Sequence, residues 1–173
     1  MLKNKVAVIT GGTRGIGYAI AELFLKNGAN VAVLGSRKET VDAALSKLCQ
    51  QFDSSDIMGM YPDLTDYAAV EAAFADIKAQ FGRIDILVNN AGISAREPIE
   101  AYDPEAFKKI MDLNVTAVFN GCKAVVPAMK ELGGGSIINT SSMVAKFGQQ
   151  SGVGYPASKF AVNGMTQSLA REL

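Results

Sequence analysis

Ile9-Thr10-Gly11-Gly12-Thr13-Arg14-Gly15-Ile16-Gly17 is the stretch on which the fold turns. It follows the short apolar run Val6-Ala7-Val8-Ile9 and leads into Ile16, Ile20, Leu23 and Phe24, which fall at helical spacing. Strand, turn and helix are therefore in register, and Gly28 stands where a helix C-terminal cap belongs. Glycine lets the backbone turn sharply and approach a phosphate closely, while a helix N-terminus offers free N–H groups and the positive end of its dipole. The spacing is Gly-x-x-x-Gly-x-Gly rather than Gly-x-Gly-x-x-Gly. Within a βαβ unit such a loop is a dinucleotide site. Gly11, Thr13, Arg14, Gly15, Ile16 and Gly17 are the candidate contacts.

Working outward, Val- and Ile-rich runs at 5–10, 30–35, 56–61, 84–89 and 135–140 predict five strands. Helical periodicity fills the gaps. Val41, Leu45, Leu48 and Phe52 make one stripe, and Val70, Phe74, Ile77 and Phe81 make another, preceded by the capping candidates Thr65 and Asp66. A longer helix is expected from Asp103-Pro104, an N-cap followed by proline in the first turn. Its stripe runs Phe107, Ile110, Asn114, Val118, Cys122. A last helix starts near Tyr155 and is still running at Leu173. Apolar strands alternating with helices imply an α/β fold: a doubly wound parallel sheet, Rossmann-like, in a single domain over 1–173.

Composition narrows the chemistry. The 173 residues include no histidine, which excludes a Ser-His-Asp triad, a Cys-His pair, a histidine-held metal and an imidazole proton shuttle. Acid/base work then falls to carboxylates, Tyr, Lys or Cys. Seventeen basic against seventeen acidic residues, with no basic run longer than two, argue against a nucleic-acid partner. Cys49 and Cys122 form no Cys-x-x-Cys pair, as fits two core-like thiols in a reducing cytoplasm. The N-terminal apolar run is too short for a signal peptide, and no stretch approaches membrane-spanning length, so neither export nor a membrane is expected.

The end of the second strand should choose between cofactors. An acid there holds the ribose 2′-hydroxyl of NAD, whereas a nearby Arg accommodates the 2′-phosphate of NADP. Leu34-Gly35-Ser36-Arg37-Lys38 carries no acid before Glu39. With Ser36 and Arg37 at this position and Arg14 in the glycine loop, NADP is expected in preference to NAD. The competing reading makes Arg37 and Lys38 the exposed start of a helix.

Tyr155-Pro156-Ala157-Ser158-Lys159 places a phenol and an ammonium one helical turn apart on one face. A phenol with its usual pKa of about 10 is a poor base near neutrality. A cation held nearby favours the ionised form that acid/base work needs. Taken with the Thr10–Gly17 loop, Asp63-Leu64-Thr65, Asn89-Asn90-Ala91-Gly92, Asn114 and Ser142, in that order along the whole chain, this pair resembles the short-chain dehydrogenase/reductase family.

The resemblance implies roles. Tyr155 exchanges a proton with the substrate oxygen, Ser142 hydrogen-bonds that oxygen, and Lys159 binds the nicotinamide ribose. Asn114 holds a water in a relay to Lys159. Asp63 and Leu64 flank the adenine, and Asn90, Ala91 and Gly92 wall the adenine and ribose. Ser141 is the rival of Ser142, but the thirteen-residue spacing to the tyrosine favours Ser142. A buried, backbone-satisfied amide is the rival reading of Asn114. No metal is required. Met143, Phe147 and residues 149–154 are candidates for a substrate pocket. The sequence is similar to bacterial hydroxysteroid dehydrogenases and to 3-oxoacyl-carrier-protein reductases, so the expected substrate is a small-molecule secondary alcohol or ketone, steroid or acyl. By the same resemblance a homo-oligomer, dimer or tetramer, forms through the helices at 103–131 and 155–173. Family members run well past residue 173, so the chain is expected to be incomplete at its C-terminus, truncated after the fifth strand and its following helix. The alternative of another class is a non-catalytic nucleotide-binding Rossmann domain or an inactive fragment.

Overall fold

A computed structural model describes residues 1–173. The chain alternates strands and helices: β1 (Val6–Thr10), α1 (Gly15–Lys26), β2 (Asn30–Leu34), α2 (Lys38–Leu48), β3 (Ile57–Met60), α3 (Tyr67–Phe81) and β4 (Ile86–Asn89). Then come α4 (Pro104–Met111), α5 (Ala117–Glu131), β5 (Ser136–Asn139), α6 (Val144–Phe147) and α7 (Gly154–Glu172). The five strands are parallel in the order β3-β2-β1-β4-β5. Each expected strand is present within two residues of its sequence bounds.

Alternation along β1 divides the core. Val6 and Val8 point to one face, where they pack with Val70, Phe74 and Ile77 of α3 and Val125 and Met129 of α5. Ala7 and Ile9 point to the other, against Ala21 and Leu25 of α1 and Leu48 of α2. Burying each Val or Ile side chain contributes roughly 2 kcal/mol. A central strand apolar on both faces therefore commits the chain to helices above and below. A third cluster, Val118, Cys122 and Val162, joins α5 to α7.

Two elements differ from the periodicity reading. The buried residues of α1 are Gly17, Ala21 and Leu25, whereas Ile16 and Leu23 are exposed. Small side chains let this helix lie close to the sheet, so the larger residues turn outward. The long helix expected from Asp103 is divided by one turn of π-helix, Asp112–Thr116. Its start is as read: Asp103 accepts a bond from the Glu105 N–H and Pro104 occupies the first turn. Before α3, Asp66 is the capping residue of the two candidates. No helix is long and apolar enough to cross a membrane.

Candidate active site

All five strands present their C-terminal ends to one rim of the sheet, and the loops that leave them carry the candidate residues. β1 and β4 neighbour each other at the point where the strand order reverses, which is where doubly wound sheets bind ligands. A cavity of 810 Å³ opens there. Gly11, Thr13, Arg14, Gly15 and Ile16 of the first loop line it, with Ser36, Asp63, Leu64, Asn90, Ala91 and Gly92 from the next three. Arg37 is not among the lining residues; it stands beside Ser36 as the N-cap of α2.

The glycines are required by geometry. Gly15 adopts a positive φ of 55°. A Cβ on Gly17 would collide with the carbonyl oxygen of Gly11 and lie 2.6 Å from the Asn90 amide nitrogen. The two walls are also tied directly. Thr10 Oγ1 accepts from the backbone N–H groups of Asn90 and Ala91, each at 3.0 Å, and Asn90 Nδ2 donates to the carbonyls of Thr10 and Gly11 at 3.2 and 3.3 Å.

Arg14 and Arg37 are the N-caps of α1 and α2, and neither makes a capping hydrogen bond or a salt bridge. A cation at the positive end of a helix dipole is unfavourable unless an anion joins it. Lys38, by contrast, is spent on Asp42, one turn along α2. The crevice thus fits a dinucleotide: close backbone approach, an open helix N-terminus and an unpaired Arg14 guanidinium in its lining, with Arg37 unpaired next to Ser36.

Across the loop 90–93 lies a buried polar cluster. Asn114, fully buried in the π turn, accepts from the Ile93 N–H at 2.8 Å and donates to the Ile93 carbonyl at 2.9 Å. Its Nδ2 also donates to Ser158 Oγ at 3.0 Å, and Ser158 donates to the Tyr155 carbonyl at 2.7 Å. Lys159 is 4% exposed, and its Nζ donates to the Thr140 carbonyl at 2.7 Å. No carboxylate pairs with it, and burial pushes its pKa below the usual lysine value. The ammonium lies 5.7 Å from the centre of the Tyr155 ring. A Cβ on Gly92 would sit 3.1 Å from Asn114 Oδ1 and 3.8 Å from Lys159 Nζ, so cavity wall and cluster are contiguous.

The two candidate serines separate. Ser141 Oγ leans on the Lys159 carbonyl at 3.5 Å, whereas Ser142 Oγ accepts from the Val144 N–H at 3.4 Å and keeps its own proton to give. Beyond Ser142, Met143, Phe147 and Val153 are exposed. Residues 149–152 are fastened to residues 96–97 by bonds from Gly152 N–H to the Glu97 carbonyl and from Ser151 to the Arg96 carbonyl. The sequence reading missed Ser158, the Thr140 carbonyl and Ile93. Their importance comes only from partners distant in the chain; no local pattern marks them.

This fold and site define a dinucleotide-dependent oxidoreductase class. A sequence model of the short chain dehydrogenase family matches residues 5–173, and the chain belongs to that family, whose members act on CH–OH groups with NAD(P). It is 60% identical over its whole length to a 3alpha-hydroxysteroid dehydrogenase of Mediterraneibacter gnavus, of which it covers 69%. It is 34% identical to the 3-oxoacyl-[acyl-carrier-protein] reductase FabG of Chlamydia muridarum, again covering all of this chain and 69% of that protein. The crystal structure of an NAD+-bound xylitol dehydrogenase superposes with a TM-score of 0.93 at 29% identity, over 99% of this chain and 65% of that one. The chain thus spans about two thirds of the length of these relatives.

Proposed function

We propose that this chain carries the cofactor and catalytic machinery of an NADP-linked oxidoreductase that interconverts a secondary alcohol and a ketone on a steroid. The observation that carries this reading is the buried, carboxylate-free Lys159 ammonium beside the Tyr155 ring, joined to the crevice through Gly92 and Asn114.

The nicotinamide, when bound, supplies or receives the hydride. In reduction the Tyr155 phenol gives its proton to the substrate oxygen, and in oxidation it takes the proton back. Ser142 donates a second hydrogen bond to that oxygen and holds it in place. Lys159, its Nζ held by the Thr140 carbonyl 5.7 Å from the centre of the Tyr155 ring, would bind the nicotinamide ribose. The Asn114 amide is spent on Ile93 and Ser158. With its side chain so engaged, Asn114 acts here by fixing the loop at Ile93 and the Ser158 hydroxyl beside Tyr155. Asp63 and Leu64 flank the adenine, Asn90 to Gly92 wall the ribose, and Arg14 with Arg37 and Ser36 receive the 2′-phosphate.

The steroid assignment is supported by the 60% identity to the hydroxysteroid dehydrogenase and by the exposed apolar trio Met143, Phe147 and Val153 beside Ser142 and Tyr155. Exposed Phe119 on α5 and Phe160 on α7 support pairing of subunits through those helices. Titration with NADPH and NADH tests the cofactor. NADPH binds roughly tenfold or more tightly, since a charge-assisted phosphate contact is worth about 1.5–3 kcal/mol. Arg37→Ala removes most of that preference; equal affinities in the parent chain contradict the assignment. A panel of hydroxysteroids, 3-oxoacyl thioesters and small ketones, followed by NADPH absorbance, tests the substrate. Turnover of the thioesters alone overturns the steroid assignment.

A further inference from the structure

We propose that Asn120 is a positioning residue for base recognition: it orients the Asp63 carboxylate through the peptide group that joins Leu64 to Thr65. Asn120 is buried on α5 among small and apolar neighbours, Ala117, Gly121 and Cys122. An amide in such a stripe is costly unless it is bonded. Its bond crosses 56 residues of chain: Nδ2 donates to the Leu64 carbonyl at 3.0 Å.

The other end of the same peptide group is also held. The Thr65 N–H donates to Asp63 Oδ1 at 2.9 Å, and Thr65 Oγ1 donates to that oxygen at 2.7 Å. In a trans peptide the carbonyl and the N–H point in opposite directions. Asn120 therefore grips the plane from the α5 side and Asp63 grips it from the other. The peptide cannot rotate to release Asp63 without also breaking the bond to Asn120. Leu64 packs its side chain into the core beneath α3, which leaves Asn120 as the polar half of the anchor.

The bonds from Thr65 hold the Asp63 carboxyl below its usual pKa, so it stays ionised and accepts only. They engage Oδ1, and no donor of the protein reaches Oδ2. Asp63 and Leu64 both line the cavity. An ionised carboxylate fixed there recognises an N–H donor on the base, such as the exocyclic amine of adenine, and disfavours a carbonyl at the same place. The inference rests on the dinucleotide reading of this cavity.

The test compares NADPH with its nicotinamide hypoxanthine analogue, in which a carbonyl replaces that amine, by calorimetric titration of the intact chain. The parent chain prefers the adenine form by roughly tenfold, and Asn120→Leu reduces the ratio to about two or less, as loss of one oriented hydrogen bond requires. Affinity for nicotinamide mononucleotide, which has no adenine half, is unchanged in the variant. If Asn120→Leu melts too low to titrate, Asn120→Ser, whose hydroxyl is too short to reach Leu64, gives the same readout. A variant that keeps the parental ratio overturns the proposal, as does a parent that binds both forms equally. A parent that binds neither dinucleotide contradicts the cofactor reading instead.

Discussion

At the scale of the residue, Lys159 carries a charge where charge is expensive. Its ammonium is nine-tenths buried and has a carbonyl, not a carboxylate, for a partner. Desolving an ion costs several kcal/mol, against about 1.5–3 kcal/mol for a charge-assisted hydrogen bond. Lys159→Met is therefore expected to raise the melting temperature at pH 7 while removing turnover. The pH dependence follows from the lowered pKa. Between that value and the 10.5 of an unperturbed lysine, the unfolded chain holds the proton that the folded chain has lost, so the parent gains stability as pH rises. The advantage of the variant should shrink from pH 7 towards 10.5, and a constant difference between the two melting curves would remove the buried charge as its cause. Tyr155 and Lys159 were legible in the sequence because both sit on one helical face. Ser158 and Asn120 were not, since their partners Asn114 and Leu64 lie 44 and 56 residues away.

Elements are held by interactions that have nothing to do with the site. At the start of β4, Asp85 lies between Arg83 and Lys5 and accepts the Val6 N–H, so it fastens β4 to β1 at the end of the sheet remote from the crevice. Burial alone would raise its carboxyl; the bonds from Arg83, Val6 and Lys5 outweigh that and hold the pKa at about 2. A depressed carboxyl adds stability above its unfolded value of 3.8 and loses it as pH falls through about 2. Asp85→Asn should thus cost about 2 kcal/mol at pH 7 and almost nothing near pH 2, measured by urea unfolding, with nucleotide affinity unchanged. An equal loss at both pH values would assign the effect to packing. Element types could be read from apolar period and turn residues. The inward face of α1 could not, because its close approach to the sheet depends on Gly17 and Ala21, which carry no hydropathy signal. The π turn was hidden for a similar reason: what widens the helix at Asn114 is a pair of bonds to Ile93, in a loop after β4.

At the scale of the whole molecule, strands apolar on both faces imply a parallel sheet covered on both sides, and the observed order is β3-β2-β1-β4-β5. That order brings five strand ends to one rim, where residues from 11 to 159 meet. In the proposed function this rim performs proton transfer through Tyr155 beside a bound NADPH. Tyr155→Phe tests it most directly, since it removes one oxygen and leaves the ring against Lys159. With a ketosteroid as substrate, steroid-dependent NADPH oxidation should fall by at least about a hundredfold, the lower range for loss of general acid catalysis, while NADPH affinity stays within about twofold of the parent. Turnover retained at the parental rate in Tyr155→Phe would contradict it.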